Sequence, residues 1–386
     1  MSATTPRPEP VSGSLPERRE RSWNFGPGPA YLPEDVIREA QDALWRFDGT
    51  GMGVAEISHR DPRFLGLVEG LEERIRRLLQ LPDSHTLLFM AGGARPHFSL
   101  VPLNLSWPHR KRAAYALTGY WSRLARTDAS VLIQTEAAVE VPPGGTPEQP
   151  TRIPDPAHWA CVEPVDYLYY TDNESIDGIE FASPPPVRDG LRLVSDMTAN
   201  LFSRPIPRLE SFSLIFAGAQ KNLGITGLAI VILRKADLVG SLEGWPRYLL
   251  YREWVAHHSM VNTPPTLNLY LADLMARWME KEGGLAALAV RNRKKADLLY
   301  AAIDQSGGFY RNGISPASRS RMNVPFRLAD ESQTPRFLAA AADAGLVQLA
   351  GHHSVGGCRA SIYNAMPEAG VRHLTEFMRE YQRTAG

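Results

Sequence analysis

The order of apolar and polar positions divides the first two thirds of the chain into helical and extended segments. Residues 34–47 carry apolar side chains at helical spacing after Pro33, which predicts an amphipathic helix, and a second helix is predicted over 64–80. Short, nearly continuous apolar runs predict buried strands at 86–90, 113–119, 165–171, 191–198, 213–220 and 228–234. Buried strands that alternate with helix-compatible stretches favour an α/β domain with a largely parallel sheet.

The pattern changes near residue 281. From there, helical and strand-like segments follow one another at 284–306, 321–328, 336–346, 357–365 and 370–383. We therefore predict a large domain over 34–280 and a smaller α+β domain made of 21–33 and 281–386.

Two stretches carry no such periodicity. Residues 1–20 are rich in proline, serine and charge, and we predict that they form a disordered extension. Residues 138–160 are dense in proline, glycine and threonine, and we predict a surface loop there.

Charge and cysteine content narrow the class of partner. The 386 residues contain 42 Lys and Arg against 42 Asp and Glu, so nothing in the net charge suggests nucleic acid or an anionic membrane as a partner. No apolar run reaches the roughly 18–20 residues that span a bilayer. Cys161 and Cys358 form neither a disulfide framework nor metal-ligand spacing, which fits a reducing cytoplasm. We expect a small-molecule ligand and no metal.

Polar residues follow several of the predicted strands, at the sheet edge where ligands of α/β proteins bind. They are Gly92 to Arg95, Ser175, Asp196 and Lys221. Each alone has an ordinary explanation, since strands often end in glycine turns, an aspartate often caps a helix and a lysine often lies at the surface. Together they are an amine, a carboxylate and backbone donors, which are the groups that bind pyridoxal phosphate.

A set of longer motifs indicates a family. The chain resembles the phosphoserine aminotransferase family, pyridoxal-phosphate enzymes of fold type I, from residue 24 to its last helix. The matching stretches include ISHRDPRF (57–64), TGYW (118–121), NESIDGIEF (173–181), SDMTANLFSRPI (195–206), FAGAQKN (216–222), NTPPT (262–266) and GHHSVGGCRASIYNAM (351–366). The resemblance implies a fold type I transferase, with a large domain of mostly parallel sheet and a smaller α+β C-terminal domain.

The resemblance also implies cofactor roles. Lys221 forms the Schiff base with the cofactor and moves the substrate proton. Asp196 pairs with the pyridine nitrogen and Trp121 stacks on the ring. The remaining cofactor contacts of the same subunit come from the Ser175 hydroxyl, from Gln220, and from the backbone N–H groups of Ala94 and Arg95.

Other positions are implied to act across a homodimer or on the substrate. Asn262 and Thr263 reach the cofactor phosphate of the neighbouring subunit, so the active sites are shared. Arg359 holds the substrate α-carboxylate as a bidentate pair. The substrate phosphate is implied to lie against His59 and Arg60 of the partner chain, together with His352 and His353.

The chain departs from the family pattern in two places. Residues 92–98 read Gly-Gly-Ala-Arg-Pro-His-Phe where the family has Gly-Gly-Gly-x-Gly-Gln-Phe, so Pro96 removes one backbone donor. His353 stands where the family has an arginine that binds the substrate phosphate. Histidine is shorter and only partly charged at neutral pH. Either Arg95 compensates, or the enzyme acts on an analogue with a less charged tail.

The expected activity is transfer of an amino group between O-phospho-L-serine and 2-oxoglutarate in serine biosynthesis, with phosphohydroxythreonine of pyridoxine synthesis as a related substrate. The first alternative is a diverged aminotransferase acting on another phosphorylated or phosphonylated oxo acid. The second is a non-catalytic binding protein on the same fold. A nucleotide-binding Rossmann protein is disfavoured because no G-x-G-x-x-G follows the first strand and no P-loop is present.

Overall fold

The computed structural model describes residues 21–106, 111–160, 164–188, 190–238 and 245–385. The predicted N-terminal extension and Cys161 lie outside these ranges. None of the helices in the described ranges has the length and apolar character needed to cross a membrane.

The helices of the described residues are α1 Glu34–Trp45, α2 Pro62–Leu79, α3 His97–Leu105, α4 Tyr120–Ala129, α5 Tyr251–Ala256, α6 Thr266–Lys281, α7 Gly284–Asp304, α8 Thr334–Asp343 and α9 Glu368–Ala385. Five of them, α1, α2, α7, α8 and α9, fall close to their predicted positions, and the other helices of the described residues had no predicted bounds. The start of α2 has a local cause, since the Asp61 side chain accepts the N–H of Arg63 at 2.9 Å. The helix ends at Gln80, whose backbone is left-handed.

The strands in the described ranges form one large sheet and several small ones. They are β1 Trp23–Asn24, β2 His85–Ala91, β3 Arg112–Leu117, β4 Gln134–Glu140, β5 Tyr167–Thr171, β6 Asn173–Glu174, β7 Ile179–Glu180, β8 Arg192–Asp196, β9 Phe212–Gly218, β10 Leu228–Arg234, β11 Tyr310–Arg311, β12 Asn323–Leu328, β13 Leu346–Val347 and β14 Cys358–Ser361. The large sheet has the order β2-β10-β9-β8-β5-β3-β4.

The large sheet is mostly parallel, as predicted. Within the described residues of this sheet, β10 is antiparallel to β2 and β9, and the other neighbouring pairs are parallel. Leu87 and Phe89 belong to the core on one face, with α1, α2 and α6, whereas Leu88 and Met90 belong to the core on the other face, with α3, α4 and α5. Burial on both faces explains why these strands are nearly continuous apolar runs.

One prediction about a loop is wrong at its first residues. Residues 138–140 belong to strand β4, which begins at Gln134, and not to the predicted surface loop. The strand was missed because it lies at the edge of the sheet, with β3 as its one neighbour, and its sequence QTEAAVE begins with three polar residues and has one fully buried position. Such a segment lacks the continuous apolar run that identified the central strands.

A third core lies among the C-terminal elements. It contains Phe25 together with residues of α7, α8, α9, β12 and β14, and β1 pairs in parallel with β13. This packing supports the predicted grouping of 21–33 with 281–386, whose boundaries stay a prediction. The grouping matters for function because β14 carries Arg359, whereas Asp196 ends β8 of the large sheet and Lys221 follows β9.

Candidate active site

The parallel arrangement brings the ends of five strands to one edge of the sheet. The residues after β2, β3, β5, β8 and β9 are therefore neighbours, although they are distant in sequence. A cavity of about 370 Å³ opens at this edge. Nine of the predicted site residues line it: Ala94, Arg95, Trp121, Ser175, Asp196, Gln220, Lys221, His352 and Arg359.

Lys221 follows β9, and its Nζ donates a short hydrogen bond to the carbonyl oxygen of Pro27. The Nζ also lies 5.4 Å from the centre of the Tyr363 ring. Gly28 lets the chain pass this closely, because a Cβ there would lie 3.2 Å from Nζ and the φ of Gly28 is +126°. The amine is therefore held at the cavity rather than extended to the protein surface.

Asp196 ends β8 and is buried, with 5 % of its surface exposed. One carboxylate oxygen accepts the N–H of Thr198 at 2.8 Å. Burial raises the pKa of Asp196 to about 6, while the hydrogen bonds from Thr198 and the charge of Lys221 act in the opposite direction. A cationic ring nitrogen at this carboxylate would favour its charged form.

Trp121 and Ser175 contact each other beside the cavity. The indole Nε1 of Trp121 donates to the Ser175 hydroxyl at 3.0 Å. Ser175 also accepts a hydrogen bond at its backbone carbonyl, from the guanidinium of Arg359 at 3.0 Å. The segment after β5 thus connects the predicted ring-stacking residue to the predicted carboxylate ligand.

Arg359 is 4 % exposed, and its Nε has no acceptor within the described residues. Burial lowers the pKa of Arg359, while Tyr363 and Asp177 act against that shift. A buried donor without a partner is costly, on the order of 1–3 kcal/mol. An incoming carboxylate would remove that cost, which fits the predicted role of this residue.

The loop after β2 leads into the N-terminus of α3. Gly92 and Gly93 have φ values of +111° and +85°, and the N–H groups of Ala94 and Arg95 have no acceptor in the described part of the chain. Free amides at the start of a helix favour an anion such as phosphate. Gln220 faces the same cavity, and its buried side-chain oxygen has no partner among the described residues.

The side chain of Arg95 and the two adjacent histidines are the groups predicted to meet the far end of the substrate. The guanidinium of Arg95 pairs with Asp128 on α4 at 3.0 Å, and it is half exposed. The rings of His352 and His353 are 4.1 Å apart, but His353 does not line the cavity and is exposed. Burial, His353 and Arg359 lower the pKa of His352. Positive charge around these three side chains is therefore sparse.

Four predicted residues lie away from the cavity of their own chain. Arg60, Asn262 and Thr263 are exposed, and His59 is half-buried. None of the four lines the cavity. Their roles were predicted across a dimer, and those roles stay a prediction.

Sequence reasoning missed residues that support the site. Gly28, Pro27 and Tyr363 contact Lys221, and the carboxylates of Glu174 and Asp177 hold the start of α4. Pro27 and Gly28 stood within a run of glycine and proline, NFGPGPA, and that run was the available signal. The two carboxylates gave none, because their partners are backbone groups more than 50 residues away.

Comparison with known proteins defines the class. Residues 22–374 match the family described as Aminotransferase class-V. The match covers most of the chain, and the chain belongs to this family.

Individual relatives are more specific. The chain is 44% identical to a phosphoserine aminotransferase of Xylella fastidiosa, over 95% of this chain and 99% of that protein. It is 43% identical to a phosphoserine aminotransferase of Stenotrophomonas maltophilia with the same coverage.

Solved structures agree with these relatives. The phosphoserine aminotransferase of Bacillus circulans subsp. alkalophilus superposes with a TM-score of 0.90 at 37% identity, covering 95% of this chain and 100% of that one. A phosphoserine aminotransferase of Trichomonas vaginalis with bound PLP superposes with a TM-score of 0.87 at 38% identity, covering 93% of this chain and 100% of that one.

Proposed function

We propose that the chain is a pyridoxal-phosphate-dependent aminotransferase that moves an amino group between O-phospho-L-serine and 2-oxoglutarate. One observation carries the proposal. Lys221, Asp196 and Arg359 line the same cavity, and the buried Arg359 has a donor that lacks an acceptor among the described residues. The class-V family and the phosphoserine aminotransferase relatives support the same reaction.

The residues present fit pyridoxal phosphate. The amine of Lys221 suits the aldehyde, the buried carboxylate of Asp196 suits the ring nitrogen, and the unpaired amides of Ala94 and Arg95 suit the phosphate. The indole of Trp121 lies beside this set, fixed by Ser175 at 3.0 Å. An amine, an acid and anion-binding amides are the groups that pyridoxal phosphate requires from a protein.

The bound cofactor supplies an electron sink that makes the substrate Cα–H acidic. Lys221 would carry the proton, because its Nζ is the amine at the cavity. Asp196 would hold the ring nitrogen of the cofactor, and burial of the carboxylate would strengthen that charge pair. Arg359 binds the α-carboxylate and so orients the Cα–H bond toward Lys221.

We propose that two copies of the chain share their active sites. An exposed apolar patch supports self-association, since Trp45 is 87 % exposed, Leu44 46 %, Met52 42 % and Leu65 39 %. The patch belongs to α1, α2 and the loop between them, which also carries His59 and Arg60. Burial of this patch against a second copy would bring those residues toward the partner's cavity.

A second candidate is an aminotransferase for an oxo acid with a different phosphorylated or phosphonylated tail. The ion pair between Arg95 and Asp128 favours this second candidate. Because the Arg95 guanidinium is already paired, it does not replace the arginine that the family has at the position of His353. Burial, and then the neighbouring His353 and Arg359, lower the pKa of His352 and so disfavour the charged form of that ring. A tail bound mainly by neutral donors tolerates less negative charge.

A substrate panel tests both candidates. Purified protein is mixed in single half-reactions with phosphoserine, phosphohydroxythreonine, a phosphonate analogue, glutamate and serine, and the change in cofactor absorbance is followed. We expect the highest kcat/KM for phosphoserine, because charge and size match the relatives' named substrate. A phosphonate or other analogue that reacts at least ten times faster than phosphoserine would favour the second candidate. No reaction with any amino acid would reject both.

A further inference from the structure

The first turn of α4 is held by two carboxylates from the segment after β5. Glu174 is fully buried, and its two oxygens accept the N–H groups of Trp121 at 2.8 Å and Ser122 at 2.9 Å. Asp177 accepts the N–H of Tyr120 at 2.9 Å. The first amides of a helix have no acceptor within the helix. Here three consecutive amides are satisfied by two acids that lie three residues apart.

The space for these acids depends on Gly119. A Cβ at this position would lie 2.5 Å from Oδ2 of Asp177 and 2.6 Å from Cγ of Glu174. The φ of Gly119 is −173°, which any residue can adopt. Glycine is therefore needed here for room and not for its backbone freedom. We call Glu174, Asp177 and Gly119 the α4 clamp.

The α4 clamp acts on a residue of the candidate site. Trp121 is held at its backbone N–H by Glu174 and at its indole Nε1 by Ser175, two neighbouring positions of one segment. A fixed backbone together with a fixed ring nitrogen defines the orientation of the side chain better than either contact alone.

We propose that Glu174 is a positioning residue, which sets the orientation of the Trp121 ring at the cavity by accepting the amides of Trp121 and Ser122. The inference deepens the proposed function and rests on it for the cofactor that the ring would contact. The support is geometric. Burial, and then the neighbouring Asp177, raise the pKa of Glu174, while the hydrogen bonds from Ser122 and Trp121 act against that shift. The amides of Trp121 and Ser122 need an oxygen acceptor whether or not the carboxyl groups of Glu174 and Asp177 share a proton.

Glu174→Gln is the main test, because it preserves size but replaces one acceptor by an NH₂ group, which meets an N–H donor. Glu140→Gln is the matched control. Glu140 is exposed and pairs with the Arg123 side chain of α4, not with the backbone amides. The first measurement is hydrogen exchange of the amides of residues 120–122 in the apoprotein, with single-residue resolution by fragmentation mass spectrometry.

We expect slow exchange at Trp121 and Ser122 in the wild type and in the control, and at least about ten-fold faster exchange in Glu174→Gln. Fast exchange at both amides in the wild type would overturn the proposal. This measurement needs neither cofactor nor substrate. A protein that fails to transaminate phosphoserine can therefore still confirm or reject the clamp.

The second measurement is a double-mutant cycle on cofactor binding. We expect Glu174→Gln to weaken cofactor affinity about ten-fold and to alter the visible circular dichroism of the bound cofactor. In a Trp121→Phe background, the additional loss from Glu174→Gln is expected to be much smaller, because the two residues act as one unit. Full additivity, or an unchanged affinity and spectrum in the single variant, would reject a role through Trp121.

If Glu174→Gln does not fold, a second variant, Asp177→Asn, still tests the proposal. Asp177→Asn changes the acceptor for Tyr120 and leaves the acceptors of Trp121 and Ser122 in place, and Asp177 is the less buried of the two acids. We expect faster exchange at Tyr120 with Trp121 and Ser122 still protected, and less than about three-fold change in cofactor affinity. If Asp177→Asn lost protection at all three amides but kept its cofactor affinity, the contacts at the start of α4 would not influence the Trp121 ring. That result would overturn the proposal.

Discussion

The candidate site has two parts, one for the cofactor and one for the far end of the substrate. A single chain positions the side chains of the first part more completely than those of the second. At the cofactor end, Lys221, Asp196 and Trp121 each have a defined partner: the carbonyl of Pro27, the amide of Thr198 and the hydroxyl of Ser175. The predicted site for the far end of the substrate, which we call the tail end, consists of Arg95, His352 and His353. There His353 is exposed and the guanidinium of Arg95 pairs with Asp128. The candidate residues at the cofactor end are thus positioned by contacts within one chain.

The difference has a physical cause. Positions at the cofactor end follow strands of the large sheet, and a sheet fixes the ends of neighbouring strands relative to one another. His352 and His353 lie outside the strands, in the segment between β13 and β14. A tail site assembled from such a segment and from a second copy can change specificity without disturbing the chemistry at the sheet. The predictions below test whether the two ends are separable in this way.

The largest effect is expected for Lys221→Ala. Loss of the proton-transfer amine alone lowers the rate about 10²–10⁴-fold. Borohydride treatment of the wild type is expected to add the cofactor mass to Lys221, and the variant is expected to gain nothing there. Lys235→Ala, at an exposed lysine after β10, is the matched control and is expected to keep full activity. Equal activity in both variants would remove Lys221 from the mechanism.

A complementation experiment tests whether the tail end is shared. Lys221→Ala and Arg60→Ala chains carrying different tags are co-expressed, and hybrids are isolated by tandem purification. In a symmetric dimer with shared sites, one of the two sites then contains both an intact Lys221 and the partner's intact Arg60, so we expect about half of the wild-type activity. If Arg60 served only its own chain, neither site would be complete and the hybrid would be as inactive as its parents.

The sequence predicted the cofactor end better than the tail end. Asp196 and Lys221 were identifiable because each follows a long apolar run whose strand character is decided locally. Edge strand β4 was misjudged at 138–140 because exposure on one side breaks that run. Contacts between distant backbone and side chain, such as Glu174 with the amide of Trp121, have no local pattern and were not predicted.

Residues that are predicted to act on the partner chain show a second reason why the tail end was predicted less well. The motif containing His59 and Arg60 was recognisable, but the fold of one chain does not bring it to the cavity. Arg95 illustrates the reverse case, since its position after β2 was predicted correctly while its guanidinium pairs with Asp128 instead of extending the tail end. Side-chain partners of exposed arginines depend on charges that are remote in sequence, and the sequence alone does not rank them.

A smaller effect is expected when charge is restored at the tail end. In His353→Arg, a longer side chain with a permanent charge replaces the imidazole, and a charge-assisted hydrogen bond contributes about 1.5–3 kcal/mol. We expect KM for phosphoserine to fall about ten-fold with kcat nearly unchanged, because the cofactor end is not altered. His257→Arg is the control, because His257 is exposed and does not line the cavity. A change in kcat without a change in KM would contradict the separation of the two ends.

The smallest effect concerns a histidine behind the cofactor end. His97 is buried at the start of α3, its Nδ1 lies 2.8 Å from the Tyr251 hydroxyl, and its ring stacks on Phe216 at 5.3 Å. Burial lowers the pKa of His97 to about 3. The unfolded chain binds this proton near pH 6.5 and the folded chain does not, so stability falls as the pH falls below 6.5.

From pH 7 to pH 5 this single group is expected to reduce the free energy of unfolding by about 2 kcal/mol. His97→Gln removes the titration, so urea unfolding of the two proteins at both pH values isolates the difference. The wild type is expected to lose about 2 kcal/mol more than the variant over this interval. His353→Gln, at an exposed ring, is the control and is expected to leave the pH dependence unchanged. Equal losses in wild type and His97→Gln would mean that the His97 ring is protonated in the folded protein, and the cofactor end would then contain a buried cation.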